Sequence, residues 1–209
     1  MQRMNNVFLE DLPEEWHGYK VNTDFTIGIQ MLQAKYDREL TDYEKSDMFV
    51  WLMFADEDEN GEEFLRDHPQ GQELGKCVEW FLSGWFHDNP DPDGDKTRVV
   101  DYDVDQWRIY ADFRQIYGID LTVVDYMHWW MFCGLLWNMP YKLSSFLQVV
   151  SKRQEKPDNN MSAEYRKELR KTQQIYALDQ PEEKKEYTEE EKTAIDDYDR
   201  MMAEIRGRK

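Results

Sequence analysis

The sequence predicts a mainly α-helical protein, and three observations support this fold class. Apolar residues recur at helical spacing in several windows, as at Leu74, Cys77 and Phe81. Helix-start signatures precede such windows, for example the Thr41-x-x-Glu44 capping box. Aromatic residues make up 14% of the 209 residues, which is more apolar surface than a disordered chain contains. We therefore predict a compact helical domain with about seven to nine helices.

The N-terminal third is predicted to begin with a short β-hairpin or extended arm, because Trp16 and Tyr19 flank the turn-forming Gly18. Asp24 follows and can cap the first helix. A second helix should begin behind the Thr41 capping box and end at the acidic stretch 56–61, which is predicted to be a solvated break.

The middle of the chain is predicted to hold two adjoining helices. Residues 87–97 are predicted to form a loop, because of their Pro and Gly content. Asp103 is predicted to cap a helix that ends at Gly118, and Thr122-x-x-Asp125 to start the next one. Ser144, Ser162 and Thr188 are predicted to begin the remaining helices. The predicted core contains Trp80, Phe81, Trp107, Tyr110, Phe113, Phe132 and Leu135.

Charge and aromatic residues divide the chain into two predicted parts. Residues 1–150 carry 29 acidic and 12 basic side chains, a net charge of −17, while residues 151–209 carry 15 and 14, a net charge of −1. Every Trp and Phe lies before residue 147. We therefore predict an acidic, aromatic-rich helical domain over 1–150 and a separable, charged helical tail over 151–209, joined by the polar stretch 151–160.

Composition also excludes several classes of protein. The formal net charge of −18 disfavours binding to a nucleic-acid backbone, which requires clustered Lys and Arg. The longest apolar stretch is shorter than the roughly 20 residues of a membrane helix. Cys77 and Cys133 lie inside helical patterns, which is typical of buried thiols and gives no disulfide framework. We expect a soluble, cytosolic protein.

The sequence predicts no catalytic, cofactor or metal site. The four His residues are widely separated, without a partner at metal-ligand spacing. Residues 89–95 resemble half of a calcium loop, but Val100 occupies the position that requires a bidentate Glu. The chain has neither a nucleophile elbow nor a Gly-rich phosphate loop. We therefore do not expect an enzyme.

A tryptophan-rich segment is the most unusual part of the sequence. Trp129, Trp130 and Trp137 project in different directions, since neighbouring residues differ by roughly 100° around a helix axis. Core burial is the favoured interpretation for each ring. The alternative is that one of them faces outward and, with Tyr126 beside it, binds a partner protein.

Residues 101–141 resemble the bacteriophage gene-product-fifteen family, and the likeness extends over roughly residues 10–155. The matching segments are Asp105, Ile109-Tyr110-Ala111-Asp112-Phe113, Tyr117-Gly118-Ile119-Asp120-Leu121, Met127-His128-Trp129-Trp130-Met131-Phe132 and Leu135-Leu136. Leu12-Pro13, residues 19–25 and residues 79–82 resemble the family as well.

The resemblance implies a phage or prophage protein that acts as a tail assembly chaperone in the host bacterial cytoplasm. Its implied partner is the phage tape-measure protein, with the major tail protein or a second chaperone as further candidates. An oligomer is compatible with this role, and neither nucleic acid nor a membrane is expected to bind. Two alternatives remain open at this point: a structural component of the tail and, less favoured, an acidic mimic of DNA.

Overall fold

Seven α-helices and two short β-hairpins make up the part of the chain that the structure describes. The computed structural model describes residues 6–85, 98–158 and 160–178. The helices are α1 (Phe25–Tyr36), α2 (Asp42–Phe54), α3 (Gln72–Ser83), α4 (Tyr102–Asp112), α5 (Trp129–Trp137), α6 (Ser145–Gln154) and α7 (Ala163–Ile175). The antiparallel hairpins pair β1 (Glu15–Trp16) with β2 (Tyr19–Lys20) and β3 (Ala55–Glu57) with β4 (Glu63–Leu65). The mainly α fold and the N-terminal hairpin are confirmed.

Several helices begin at the residues that the sequence predicts. The Asp24 carboxylate accepts a hydrogen bond from the Thr26 amide at 3.0 Å, and Thr41 and Glu44 form the complete capping box. Ser144 and Ser162 cap α6 and α7 in the same way. These starts were predictable because a cap and its helix are neighbours in sequence.

Two predicted helix starts are wrong. Asp101, not Asp103, caps α4, since its carboxylate accepts hydrogen bonds from the amides of Asp103 and Val104. The next helix, α5, begins at Trp129 behind His128 rather than at Thr122. Contacts with distant residues hold the preceding segment extended: the Met127 amide donates to the Asp24 carboxylate at 3.0 Å, and the Trp129 amide to the Thr23 carbonyl at 2.7 Å.

The predicted solvated break at residues 56–61 is only partly correct, because it overlaps the second β-hairpin. Asp56 and Glu57 belong to β3 and pair with Phe64 and Glu63 of β4. The Asp58 carboxylate organises the turn between the strands by accepting hydrogen bonds from the amides of Asn60 and Glu62. Because β3 follows α2 directly, the hairpin begins at the C-terminal end of that helix.

The core is centred on Phe132 of α5. Its ring stacks on Phe25 of α1 at 5.0 Å, on Phe113 at 5.2 Å and on Trp129 at 5.6 Å, measured between ring centroids. Phe81 of α3 is also fully buried. The predicted burial of Phe81, Phe113 and Phe132 is therefore confirmed. The predicted core residues Trp80 and Leu135 are partly buried and pack against it. Tyr110 is partly buried, and its ring contacts Trp107.

Two buried carboxylates join α4 to α6. Both oxygens of Asp105 bond the Arg153 guanidinium, at 2.6 and 3.0 Å. Asp112 lies at the N-terminus of α6, where it accepts hydrogen bonds from the Ser144 hydroxyl at 2.7 Å and the Phe146 amide at 2.9 Å. Each buried carboxylate thus has fixed hydrogen-bond partners, and together they fix the face of α4 that is turned inward.

The described residues lie in one compact unit, Met1–Asp179. Helix α6 runs through residue 150, where the sequence predicts the domain boundary, and Arg153 also donates to the Tyr176 carbonyl behind α7 at 2.7 Å. The division of the chain at 150 stays a prediction. The predicted loop at 87–97, the calcium-like stretch 89–95 and the helix behind Thr188 lie wholly or almost wholly outside the described residues.

Candidate protein-binding surface

Trp129 and Trp130, two of the four predicted binding residues, are core residues. They are 1% and 9% exposed. The Trp130 indole N–H donates to the Phe81 carbonyl at 2.9 Å, and that of Trp129 donates to the Leu82 carbonyl at 3.3 Å. Buried indoles need such an acceptor, and α3 supplies both. Neither ring presents a surface to a partner in this structure.

Tyr126 and Trp137, the other two predicted binding residues, lie at different places. Trp137 is partly buried and packs edge-on against Phe146, and it lines a cavity of about 250 Å³ together with Trp129. Tyr126 is 52% exposed, and its hydroxyl bonds the Thr23 hydroxyl at 2.7 Å. Burial raises the pKa of Tyr126. A binding role for these two side chains stays a prediction.

Trp107 of α4 is the most exposed of the described tryptophans, at 74%. Its predicted place in the core is therefore wrong. The buried face of α4 consists of Asp105, Ile109 and Asp112, and Trp107 lies two residues beyond Asp105, about 200° around the helix. Helical spacing predicts aromatic residues on the inner face of α4, whereas the paired carboxylates of Asp105 and Asp112 occupy it together with Ile109.

An apolar groove lies beside the exposed indole, and we call it the Trp107 groove. It has a volume of about 210 Å³. Residues that line it include Ile29, Gln106, Trp107, Tyr110, Leu121 and Phe132. The groove thus lies between α1, α4 and the segment that follows Gly118, with the buried Phe132 reaching it from α5.

The walls of the Trp107 groove are fixed by local contacts. The Trp107 and Tyr110 rings meet edge to face, with centroids 6.0 Å apart. Gly118 adopts the left-handed conformation, φ 70°, and turns the chain out of α4 and its terminal π-helical turn Phe113–Tyr117. Asp120 then accepts hydrogen bonds from the hydroxyl and amide of Thr122. These bonds, with the Arg114 guanidinium 3.2 Å away, lower the pKa of Asp120.

Further apolar side chains are exposed on the elements that form the groove. Val104 lies one turn before Trp107 on α4 and is 54% exposed, and Val123 follows Leu121 and is 73% exposed. An exposed Trp among exposed aliphatic side chains is typical of a protein–protein interface. The sequence carries a weak signal of this face on α4: Val104 and Trp107 stand among Asp103, Asp105 and Gln106, a polar surrounding that is more typical of an exposed helix face than of a core.

A comparison with protein families identifies the family of the chain. A family profile described as Bacteriophage Gp15 protein matches residues 9–178. The chain belongs to this family. The Gp15 match spans most of the 209 residues and includes both α4 and α5. The resemblance to the bacteriophage gene-product-fifteen family is confirmed, and this Gp15 protein is a bacteriophage protein. Searches of curated proteins and of solved structures gave no significant match.

The two cysteine thiols of the Gp15 protein are buried in the core. Burial raises the pKa of the Cys77 thiol to about 12 and also raises the pKa of Cys133, so both thiols stay protonated at neutral pH. Within the described residues, His, Cys, Asp and Glu side chains do not gather in threes as a metal site requires. None of the described helices is long and apolar enough to cross a membrane. In the part of the chain that the structure describes, the Trp107 groove combines an apolar cavity with the most exposed tryptophan, which makes it a candidate surface for contact with another molecule.

Proposed function

We propose that this Gp15 protein is a tail assembly chaperone, a non-catalytic binding protein that holds the tape-measure protein in the cytoplasm of the host bacterium. Family membership supports a phage role. The observation that carries the binding role is the exposed Trp107 beside an apolar groove. Covering an aromatic side chain exposed in this way lowers the free energy, so it favours binding of a partner.

The proposed partner matches this surface in its chemistry. A tape-measure protein is long and helical, and its apolar stripes are exposed until the tail tube surrounds them. A helix that lays an apolar stripe into a groove is a common mode of recognition. The net charge of −18 would keep the chaperone from associating with itself and favour partners that carry positive charge.

Co-expression of the Gp15 protein with the cognate tape-measure protein tests the proposal. We expect the tape-measure protein to stay in the soluble fraction only when the Gp15 protein is present, and the two to co-purify. Mass spectrometry of finished particles should find the Gp15 protein absent or far below stoichiometric amounts. Equal solubility without it, together with a stoichiometric amount in the particles, would favour the alternative role as a structural tail component.

A further inference from the structure

We infer that the Trp107 groove binds one bulky apolar side chain of an amphipathic helix, and that Lys or Arg residues flank this side chain in the partner. The inference rests on the proposed function, because it takes the tape-measure protein as the source of the helix. It goes further by naming the face of the chaperone and the sequence pattern that this face selects.

The size of the groove suits a single side chain. Its volume of about 210 Å³ lies below the roughly 300–1,000 Å³ of typical small-molecule pockets. The surfaces that surround it are mostly apolar, because Ile29, Leu121 and Phe132 line it. Its polar lining residues Gln106 and Thr122 already donate hydrogen bonds to the Asp103 carbonyl and the Asp120 carboxylate. One Leu, Met or Phe side chain therefore suits the groove in size and in polarity.

Trp107 supplies contact area at low entropic cost. Its edge-to-face contact with Tyr110 limits the motion of the ring and leaves most of its surface exposed. A side chain ordered before binding loses less conformational entropy when the partner arrives. Val104, one helical turn before Trp107, and Val123, in the segment after Gly118, add further exposed apolar surface to the elements that form the groove. This arrangement has the composition of an interface hot spot with an apolar surround.

The net charge of the N-terminal part of the chain favours a basic partner over a second copy of the chain. Arg108, beside Trp107, is paired with the buried Asp105 at 3.2 Å. Asp103 is exposed one helical turn before Trp107, and its carboxylate accepts a hydrogen bond from the Gln33 amide, which leaves its charge in place. Asp120 is paired with Arg114, so this pair adds little net charge. Residues 1–150 carry a net charge of −17, which repels another copy and attracts Lys and Arg.

The test uses the full-length protein and 20-residue peptides that tile the cognate tape-measure protein. Trp107→Ala is the decisive variant, and Trp51→Ala is its matched control, since Trp51 is 47% exposed on α2. We expect Trp107→Ala to weaken binding of the best peptides at least about 30-fold, as for a hot-spot residue, and Trp51→Ala to weaken it less than about 3-fold. The best peptides should carry a bulky apolar residue with Lys or Arg within one helical turn.

A charge variant tests the second half of the inference. Asp103→Asn should weaken peptide binding a few-fold at low salt, with the difference lost at about 0.5 M salt, because exposed charges are screened there. Asp42→Asn is the control, since Asp42 is also an exposed carboxylate in the first turn of a helix, α2. Equal effects of the two Asn variants would show general charge attraction and overturn the selection of a flanking cation by this groove.

The remaining outcomes separate the inference from the proposed function. If peptides and the intact tape-measure protein bind the parent and the Trp107→Ala variant alike, the assignment of the groove is wrong while the chaperone role stands. If neither binds the parent, the proposed function fails and the inference fails with it. If Trp107→Ala instead lowers the mass of the chain in solution, the groove is a contact between copies, and a basic helix is not its occupant.

Discussion

Helices α4 and α5 both carry tryptophan, but they use it in opposite ways. In α5, Trp129 and Trp130 are buried and donate to carbonyls of α3. In α4, Trp107 is 74% exposed, while Asp105 and Asp112 occupy the inner face. An aromatic residue of a helix is therefore not always the residue that faces the core. A carboxylate with a complete set of partners can be buried, and in α4 this burial leaves Trp107 facing outward, while Tyr102 still packs against the core.

The largest expected effect lies at the contact between the two helices. Phe132→Ala removes a ring that stacks on Phe113 at 5.2 Å and on Phe25 at 5.0 Å. We expect the free energy of unfolding to fall by about 3–5 kcal/mol, because the substitution leaves a cavity in a packed core. Urea denaturation followed by circular dichroism measures it. A loss below about 1 kcal/mol would contradict the central position of α5.

The second effect tests the inner face of α4. Arg153→Ala leaves the fully buried Asp105 carboxylate without its main partner, although Arg108 stays at 3.2 Å. We expect a loss of about 3–5 kcal/mol in the free energy of unfolding.

The double variant Asp105→Asn/Arg153→Met is the control, since it removes both charges together and should recover most of the loss. A chain ending at Val150 also lacks Arg153, so it should unfold at lower urea than a chain ending at Leu178. Equal stability of the two truncated chains would instead support the boundary predicted at residue 150.

The third effect tests the close packing of Trp129. A Cβ at Gly28 of α1 would overlap the Trp129 ring, whereas a Cβ at Gly134 of α5 meets nothing within 4 Å. Gly28→Ala should therefore cost about 1–3 kcal/mol, as overpacked cores do. Gly134→Ala should stabilise the protein by about 0.5–1 kcal/mol, because alanine favours the helix. Thermal melts of both variants measure the two opposite shifts, and a shift of the same sign in both would contradict the packing.

Some helix starts were predictable from the sequence and others were not, depending on how far along the chain the hydrogen-bond partners lie. Caps such as Asp24 and Ser144 act on residues two or three positions away, so their patterns were sufficient. The start of α5 was not predictable, because the partners of Met127 and Trp129 are Asp24 and Thr23, more than 100 residues earlier. For these helices, a start was predictable from the sequence when its hydrogen-bond partners were neighbours along the chain, and not predictable when the partners were distant.

The candidate site was harder to predict than the fold. The four residues chosen from the sequence include two core residues, and Trp107 was assigned to the core. Exposure of Trp107 follows from the pairing of Asp105 with Arg153, which lies 48 residues further along the chain. A carboxylate in a helical sequence pattern indicates a surface residue, because the pattern does not show a partner that is distant along the chain. The family resemblance was available from the sequence, because its segments are contiguous.

The fourth effect is a pH dependence at the start of α5. The Nδ1 atom of His128 accepts the Trp130 amide, and its Nε2–H donates to the Pro13 carbonyl, so the buried ring is neutral. Burial lowers the pKa of His128 below 6.5. The unfolded chain then binds the proton more readily, and stability is lost as the pH falls below about 6.5.

Urea titrations between pH 7.5 and 5 measure this effect. We expect the free energy of unfolding of the parent to fall over this range, and that of His128→Asn to fall less. Parallel curves for the two proteins would show that His128 does not titrate on unfolding.

The smallest expected effect on stability is that of Trp107→Ala. Although the side chain is larger than Phe132, most of it is already in water. We expect the free energy of unfolding to change by no more than about 0.5 kcal/mol, as for most surface substitutions. Urea denaturation beside Phe132→Ala provides the comparison. A loss of several kcal/mol would place Trp107 in the core after all.

Hydroxyl-radical footprinting of the full-length protein, alone and bound to the tape-measure protein, tests the central claim most directly. It reads the exposure of each tryptophan from its rate of oxidation. We expect Trp107 to be oxidised rapidly in the free protein and to be protected in the complex, while Trp129 stays slow in both and Trp51 stays fast in both. Slow oxidation of free Trp107, or its unchanged oxidation in the complex while Trp51 becomes protected, would contradict the account.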